Sequence, residues 1–118
     1  MGNMEQIDLT ELDFEHPTRE ELEIGPILQA LSDPQRLEII RLLGDEAKPR
    51  PCGSFNLGLA KSTMSHHIKV LREAGLIVQM REGTTKLTWL RRDDVDARFP
   101  GLLDAVLAGA QPPVPAPA

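Results

Sequence analysis

The side chains best suited to recognise another molecule lie in the stretch Lys61–Gly75, which reads KSTMSHHIKVLREAG. Three apolar residues and one histidine recur at three- and four-residue steps, the period of one helix face: Met64, His67, Ile68 and Leu71. The opposite face carries hydroxyls, an imidazole and cations: Ser62, Ser65, His66, Lys69 and Arg72. Gly75 ends the helix, because glycine accepts the positive φ that closes helices. These features suit a nucleic-acid groove, and a solvated amphipathic helix is the alternative.

The distribution of charge favours the first of these interpretations. The chain has 118 residues and a net charge of −5, which by itself is unusual for a protein that contacts nucleic acid. The segment from Lys61 to Arg92, however, contains seven cations and two anions. Its local charge is therefore +5, and the remainder of the chain carries −10. A local basic surface matters more for binding than the charge of the whole chain.

Composition narrows the class of protein and of partner. The chain is long enough for one small domain with a core, but not for two. With three Phe, one Trp and no Tyr, it lacks the aromatic platforms on which single-stranded bases stack, so a double helix is the better partner. The single cysteine rules out an internal disulfide framework. No apolar run reaches the ~20 residues of a membrane span, and the acidic N-terminus differs from a signal peptide, so we expect a cytoplasmic protein.

The first part of the chain predicts an arm followed by two helices. Residues 1–17 are acidic and weakly patterned and should form a flexible arm, although apolar residues such as Phe14 have the chemistry to dock. The capping box that begins at Thr18 predicts a helix to about Leu31, kinked or split at Gly25-Pro26. Asp33-Pro34 then predicts the start of a second helix, which Gly44 ends.

The central part predicts a helix-turn-helix pair followed by a β-hairpin. Residues 44–54 contain glycine and proline and should form a loop. The short apolar segment Phe55–Leu59 is placed where the first helix of the pair would lie, ahead of the long helix from Lys61. Residues 76–82 and 85–90 have strand composition and flank the turn signal at Gly83.

The last part predicts helical turns and a disordered tail. Asp93-Asp94 caps a short helical turn, Phe99-Pro100 interrupts it, and an apolar helix follows. The domain should therefore span residues 18–109, and the proline-rich residues 110–118 should be disordered. The fold class is mainly α with a β-hairpin wing (α+β), in the order of a winged helix-turn-helix domain.

Three stretches in combination resemble the ArsR/SmtB-type bacterial transcriptional regulators. They read LQALSDPQRLEIIRLL, KSTMSHHIKVLREAGLI and REGTTKL, and the resemblance covers roughly residues 27–107. It implies a homodimeric regulator, most simply a repressor, that places two recognition helices in successive major grooves of a palindromic double-stranded operator and responds to an effector. In this family the first and last helices form the dimer interface. The matching apolar residues here are Leu22, Ile27, Leu28, Leu31, Leu102, Leu103, Val106 and Leu107.

The residue types divide the expected DNA contacts into two groups. Short polar side chains at the start of the long helix suit base edges: Ser62, Thr63, Ser65 and His66. Cations suit phosphates, namely Lys61, Lys69 and Arg72 on the helix and Arg81 and Lys86, with Thr84, on the wing. For both Arg91 and Arg92, contact with the DNA backbone and a position on the solvated surface remain alternatives. His67 lies on the packing face and should be a hydrogen-bonded core residue.

The ligand patterns by which many relatives bind metals are missing from this sequence. Cys52 has no second cysteine near it, and the last helical region offers carboxylates without a histidine. Carboxylates alone suit Mg²⁺ or Ca²⁺ rather than a transition metal. A composite site of His16, Cys52 and a carboxylate across a dimer is an alternative that no spacing supports. We therefore assign no metal ligand and no cofactor, and a transition-metal effector stays an open alternative that no ligand motif supports.

Two other sources of a signal remain open. Cys52 is a candidate redox sensor, because the nearby cations Lys48 and Arg50 favour the reactive thiolate; the alternative is an inert thiol. A co-regulatory protein that binds the acidic arm or the proline-rich tail is the other source.

The alternative to a DNA-binding regulator is a dimeric winged-helix scaffold for protein interaction that no longer reads DNA. The cationic face of the long helix and the cationic wing favour the regulator. An enzyme is disfavoured, because the sequence has no phosphate-binding glycine loop and no recognisable acid–base pair or nucleophile triad. We therefore expect a cytoplasmic, nucleoid-associated protein with no membrane partner.

Overall fold

The computed structural model describes residues 14–44 and 49–110. Within these ranges the chain forms five helices and a three-stranded antiparallel sheet, in the order α1 (Ile24–Leu31), α2 (Pro34–Gly44), β1 (Arg50–Pro51), α3 (Lys61–Ala74), β2 (Ile77–Glu82), β3 (Thr85–Leu90), α4 (Arg92–Arg98) and α5 (Leu102–Ala110). Short 3₁₀ turns precede α1 at Arg19–Glu21 and follow β1 at Cys52–Ser54. This confirms the predicted helical fold with a hairpin wing. Most of the expected arm and tail, residues 1–13 and 111–118, lie outside the described residues.

The predicted first helix is divided into a 3₁₀ turn and α1. The amide of Thr18 donates to Glu21 Oε1 at 2.9 Å, which is one half of the predicted capping box. The chain is extended at Leu22 and Glu23, and α1 starts at Ile24. Pro26 therefore lies in the first turn of α1, where a missing N–H leaves no helical hydrogen bond unmade. The break falls before Gly25-Pro26 rather than at it.

Helix α2 begins where the sequence predicted. Asp33 Oδ1 accepts hydrogen bonds from the amides of Gln35, at 2.8 Å, and Arg36, at 3.1 Å, as an N-cap carboxylate should. The helix extends to Gly44 and buries Ile39, Ile40 and Leu43. It packs against α1, α3 and α5 and so forms the centre of the core.

The predicted short helix at Phe55–Leu59 is absent. Residues 55–60 have no regular secondary structure, and both Asn56 (φ 54°) and Gly58 (φ 70°) have positive φ, which a right-handed helix does not allow. Phe55 is nevertheless 4% exposed and anchors the segment to the core. A buried aromatic anchor thus holds the chain ahead of α3 where a helix was expected.

The wing is the predicted hairpin with one additional strand. Strands β2 and β3 pair from Ile77↔Leu90 to Glu82↔Thr85, so Gly83 and Thr84 form a two-residue turn. Gly83 has φ 62°, which glycine adopts without strain. The predicted loop at residues 44–54 contributes β1, which pairs with β3 through Arg50↔Thr88 and Pro51↔Leu87. The strand order β1-β3-β2 leaves β2 with one free edge.

Helix α3 joins the wing to the helical core through its inner face. His67, Ile68, Leu71 and Ala74 are buried there, as the helical period predicted. Gly75 caps the helix in the left-handed region at φ 89°, and the chain turns directly into β2. This packing fixes the direction of the outer face of α3 relative to the wing.

Four residues assigned by resemblance to a dimer interface are already covered within the single chain. Leu22, Ile27, Leu31 and Leu103 are buried among the core side chains of the single chain. Their place in a dimer interface stays a prediction. Leu28 is 50% exposed, and Leu102, Val106 and Leu107 are partly buried. None of the described helices is long and apolar enough to cross a membrane.

Candidate nucleic-acid interface

The outer face of α3 presents the predicted polar and cationic residues to solvent. The exposed ones are Lys61, Ser62, Thr63, Ser65, His66 and Lys69. Ala60 provides no side-chain cap at the start of α3, and the first turn contains no acidic residue. The orphan amides of the first turn therefore remain available, together with the positive end of the helix dipole, to an anion.

The two adjacent histidines have different environments, as the helical period predicted. His66 is exposed on the outer face, whereas His67 is 8% exposed on the inner face. Arg36 Nη1 lies 3.3 Å from His67 Nδ1 and can donate to it, while Arg36 Nε donates to the carbonyl of Ala30 at 2.7 Å. His67 is thus a hydrogen-bonded core residue that connects α2 to α3.

The wing places its predicted contact residues beside α3. Arg81, Thr84 and Lys86 are exposed, and Arg81 and Lys86 are paired across the hairpin. An open cleft of about 1050 Å³ separates the wing from α3. Residues of both predicted groups line it: Lys61, Ser62, Ser65, Lys69, Arg72, Thr84 and Lys86. The fold therefore brings members of both sets to one cleft, whereas Thr63, His66 and Arg81 do not line it.

Arg72 is engaged within the protein rather than projecting into solvent. It is partly buried, and its Nη1 donates to Gln79 Oε1 at 2.5 Å. Its guanidinium carbon lies 5.0 Å from the centre of the Phe14 ring. The position of Arg72 on the helix predicted a contact with a DNA phosphate. In this conformation the side chain instead connects α3 to β2.

Sequence reasoning missed Phe14 and His16 as part of this surface. The Phe14 ring lies within 6 Å of three cationic groups, those of Arg72, Arg81 and Lys86. His16 Nε2 accepts a hydrogen bond at 3.0 Å from the amide of Gln79, on the free edge of β2. Residues Phe14–Pro17, which form the end of the predicted arm, are therefore docked on the domain. The only signal in the sequence was the presence of apolar residues among the acidic ones.

His16 uses both ring nitrogens in this contact. Its Nδ1 lies 2.8 Å from the carbonyl oxygen of Phe14 and must donate to it, which leaves Nε2 to accept from Gln79. Burial lowers the pKa of His16 below its ordinary value of 6.5; the charges of Arg91 and Arg72 act in the same direction, against the hydrogen bond to Phe14. The neutral Nδ1–H tautomer is the form that this contact requires.

Acidification should therefore weaken the docking of this segment. Because the pKa of His16 is lowered in the folded protein, its stabilising contribution is present above pH 6.5 and is lost as the pH falls through the lowered pKa. Between pH 7.5 and pH 5.5, the free energy of unfolding should fall more for the native protein than for His16→Ala, measured by urea denaturation. An equal fall in both proteins would rule out this role of His16.

Cys52 lies on the floor of the same cleft. Its Sγ is 3.1 Å from Thr88 Oγ1 on β3 and 3.5 Å from Gln79 Nε2 on β2. Arg50, one of the two cations expected to activate it, donates instead to the hydroxyl and the carbonyl of Ser54. The other, Lys48, lies outside the described residues. Cys52 thus joins the hydrogen-bonded groups beneath the wing, and its redox role stays a prediction.

Arg91 and Arg92, for which the sequence left both a DNA contact and a solvated position open, form ion pairs with acidic residues. Arg91 is 3% exposed; its Nη2 donates to Asp94 Oδ2 at 2.7 Å and its Nη1 to the carbonyl of Pro17 at 2.6 Å. Arg92 pairs with Asp96 and Asp104. Among residues 14–44 and 49–110, no three His, Cys, Asp or Glu side chains are grouped so that they could hold a metal ion.

Comparison with known proteins identifies a matching domain family and several relatives. A family described as a helix-turn-helix domain matches residues 31–79. The HTH-type transcriptional regulator YceK of Bacillus subtilis is 40% identical over 82 residues, which cover 68% of this chain and 82% of YceK. The HTH-type transcriptional regulator NmtR of Mycobacterium tuberculosis is 36% identical over 61 residues, covering 52% of this chain and 51% of NmtR.

A further relative is the arsenical resistance operon repressor of Staphylococcus xylosus, 31% identical over 81 residues that cover 63% of this chain and 71% of the repressor. The match to the helix-turn-helix family includes α3 and the start of β2. The chain therefore belongs to the ArsR/SmtB-type helix-turn-helix transcriptional regulators.

Proposed function

We propose that this regulator binds a palindromic DNA operator as a homodimer and represses transcription from it. The observation that carries the proposal is the single surface on which the polar start of α3 and the cationic wing flank one cleft. Helices of this type insert their N-terminal residues into the major groove, and a wing beside them contacts the backbone. The name of the staphylococcal relative, an operon repressor, supports repression as the mode of action.

The proposed interface assigns different tasks to its residues. Ser62, Thr63, Ser65 and His66 contact base edges, because they are exposed at the N-terminal half of α3. Lys61 and Lys69 on α3 and Arg81, Thr84 and Lys86 on the wing contact phosphates and set the position on the duplex. Arg72 would join them only after leaving its present contacts with Gln79 and Phe14.

Homodimer formation is supported by exposed apolar residues on α1. Ile24 and Leu28 are 43% and 50% exposed and lie one helical turn apart, so they form a short apolar stripe. Leu102, Val106 and Leu107 on α5 are only partly buried. A two-fold symmetric contact that includes this stripe would cover it and present two copies of α3 to successive major grooves.

Selection from random duplexes at fixed salt concentration tests the proposal directly. Enrichment of a palindrome with half-sites about one helical turn apart is expected. Repeating the selection with added metals, with chelator and with oxidant would show which signal releases the operator. Failure to enrich any sequence under these conditions would overturn the proposal and favour the scaffold that does not bind DNA.

Two substitutions on α3 should separate base reading from phosphate binding. Ser65→Ala combined with His66→Ala should weaken operator binding by roughly tenfold or more and leave binding to unrelated duplexes unchanged. Lys69→Gln should weaken binding to all duplexes and reduce the slope of log K against log salt by about one. Each variant is the control for the other in a fluorescence-anisotropy titration. Unchanged operator affinity in the double variant would remove α3 from base recognition.

A further inference from the structure

The N-terminal segment Phe14–Pro17 contacts three cations that the proposed DNA interface needs. The centre of the Phe14 ring is 5.0 Å from Arg72 Cζ, 5.7 Å from Arg81 Cζ and 5.8 Å from Lys86 Nζ. These cations belong to α3, β2 and β3, so one aromatic ring contacts both the helix and the wing. Such cation–π contacts contribute favourably even at partly solvated sites.

The segment is fixed at His16 and at Pro17 by hydrogen bonds to buried partners. The amide of Gln79 is on the free edge of β2 and donates to His16 Nε2. One residue later, the carbonyl of Pro17 accepts from the buried Arg91 at 2.6 Å. The imidazole of His16 thus satisfies a backbone amide at the free strand edge that would otherwise face solvent. The contact is therefore built from several elements and does not depend on the ring of Phe14 alone.

Phe14 and a DNA phosphate would compete for space at these cations. The ring covers one side of each guanidinium or ammonium group and so limits the directions from which a phosphate can approach it. Phe14 also lines the cleft that contains Lys61, Ser65 and Lys69. In addition, Glu15 lies next to Phe14 and carries a carboxylate, so the docked segment adds negative charge beside the surface that is proposed to contact phosphates.

We propose that the N-terminal segment is an internal competitor of DNA, which holds Arg72, Arg81 and Lys86 through Phe14 and must withdraw before the wing can contact the operator backbone. The inference rests on the proposed function. It adds that the free protein is autoinhibited, so its measured affinity is the intrinsic affinity multiplied by the undocked fraction.

The test compares DNA binding by full-length native protein and Phe14→Ala on the selected operator. The substitution removes no charge, so a gain in affinity cannot come from altered electrostatics. We expect Phe14→Ala to bind about three- to tenfold more tightly, with an unchanged salt slope. Phe14→Leu, which retains apolar bulk without the aromatic face, should give a smaller gain. Gln29→Ala, at an exposed position on α1, is the control and should bind as the native protein does.

A second measurement follows the docking itself without relying on affinity. The exchange of the Gln79 amide with deuterium should accelerate in Phe14→Ala and, in the native protein, on addition of operator DNA. The amide of Met80 faces β3 and should not respond, which makes it an internal control. Circular dichroism of each variant shows whether the fold is retained.

The outcomes separate this inference from the proposed function. Native protein that binds the operator while Phe14→Ala binds with equal or lower affinity would overturn the internal competitor and leave the proposed function intact. Operator binding without any change at the Gln79 amide would do the same, because the segment would then stay docked on the complex. If neither protein binds any duplex, both the function and the competitor are rejected.

Discussion

Replacing Gly75 with alanine is expected to lower the free energy of unfolding by about 2–4 kcal/mol. Two costs add at this position. Gly75 has φ 89°, a region in which an L-residue with a Cβ is strained. The new Cβ would also lie 2.0 Å from Leu22 Cδ2, and Leu22 is 1% exposed in the core. The side chain of Leu22 cannot move aside without disturbing its neighbours.

Gly101→Ala is the matched control for this prediction. Gly101 has nearly the same backbone angle, φ 86°, but a Cβ there meets nothing within 4 Å. Its substitution therefore carries the backbone cost without the clash. Urea denaturation of both variants should show a larger loss for Gly75→Ala, and the difference measures the contact with Leu22. Equal losses in the two variants would mean that the close approach of Gly75 to Leu22 has no energetic consequence.

Placing a charge on the exposed stripe of α1 should abolish the proposed dimer and, with it, tight operator binding. Leu28→Glu introduces a carboxylate at a side chain that is 50% exposed in the single chain, so the fold should be retained. In a symmetric dimer the two carboxylates would be desolvated near each other. We expect a monomer in light-scattering measurements and an operator affinity lower by roughly 10²–10⁴-fold, the advantage that linking two binding units provides.

Gln29→Glu adds the same charge to the next residue of α1 and is the control for position. Gln29 is exposed and lies about 100° around the helix from Leu28, away from the apolar stripe. This variant should remain dimeric. A Leu28→Glu protein that is still dimeric would place the dimer interface elsewhere. If the native protein is itself monomeric and yet binds the operator tightly, the homodimer is rejected altogether.

The parts of the fold that the sequence predicted well are those stabilised by neighbours along the chain. The helical period and terminal glycine of Lys61–Gly75, the Asp33 cap of α2 and the Gly83 turn of the wing all depend on residues within one or two turns. Predictions that failed depended on distant contacts. Residues 55–60 are held by the burial of Phe55 rather than by helical hydrogen bonds, and β1 exists only because β3 lies beside it.

The same distinction explains the candidate site. The outward residues of α3 and the cations of the wing were recognisable by type and period, because exposure on an amphipathic helix or a hairpin is a local property. Whether a cation is free is not local. Arg72 and Arg91 both read as surface cations in the sequence, yet Arg72 bonds to Gln79 and Arg91 to Asp94 and the carbonyl of Pro17.

The sequence by itself determined that this chain has a helix suited to a DNA groove, followed by a cationic hairpin, and it indicated the family by resemblance. Only the tertiary structure decided which apolar residues form the core and which remain exposed, since Leu22 and Leu28 look alike in the sequence. It also decided that Phe14 lies on the cations of α3 and the wing. The physical reason is that burial and long-range contacts are properties of the packed chain, whereas period, capping and turn chemistry are set by adjacent residues.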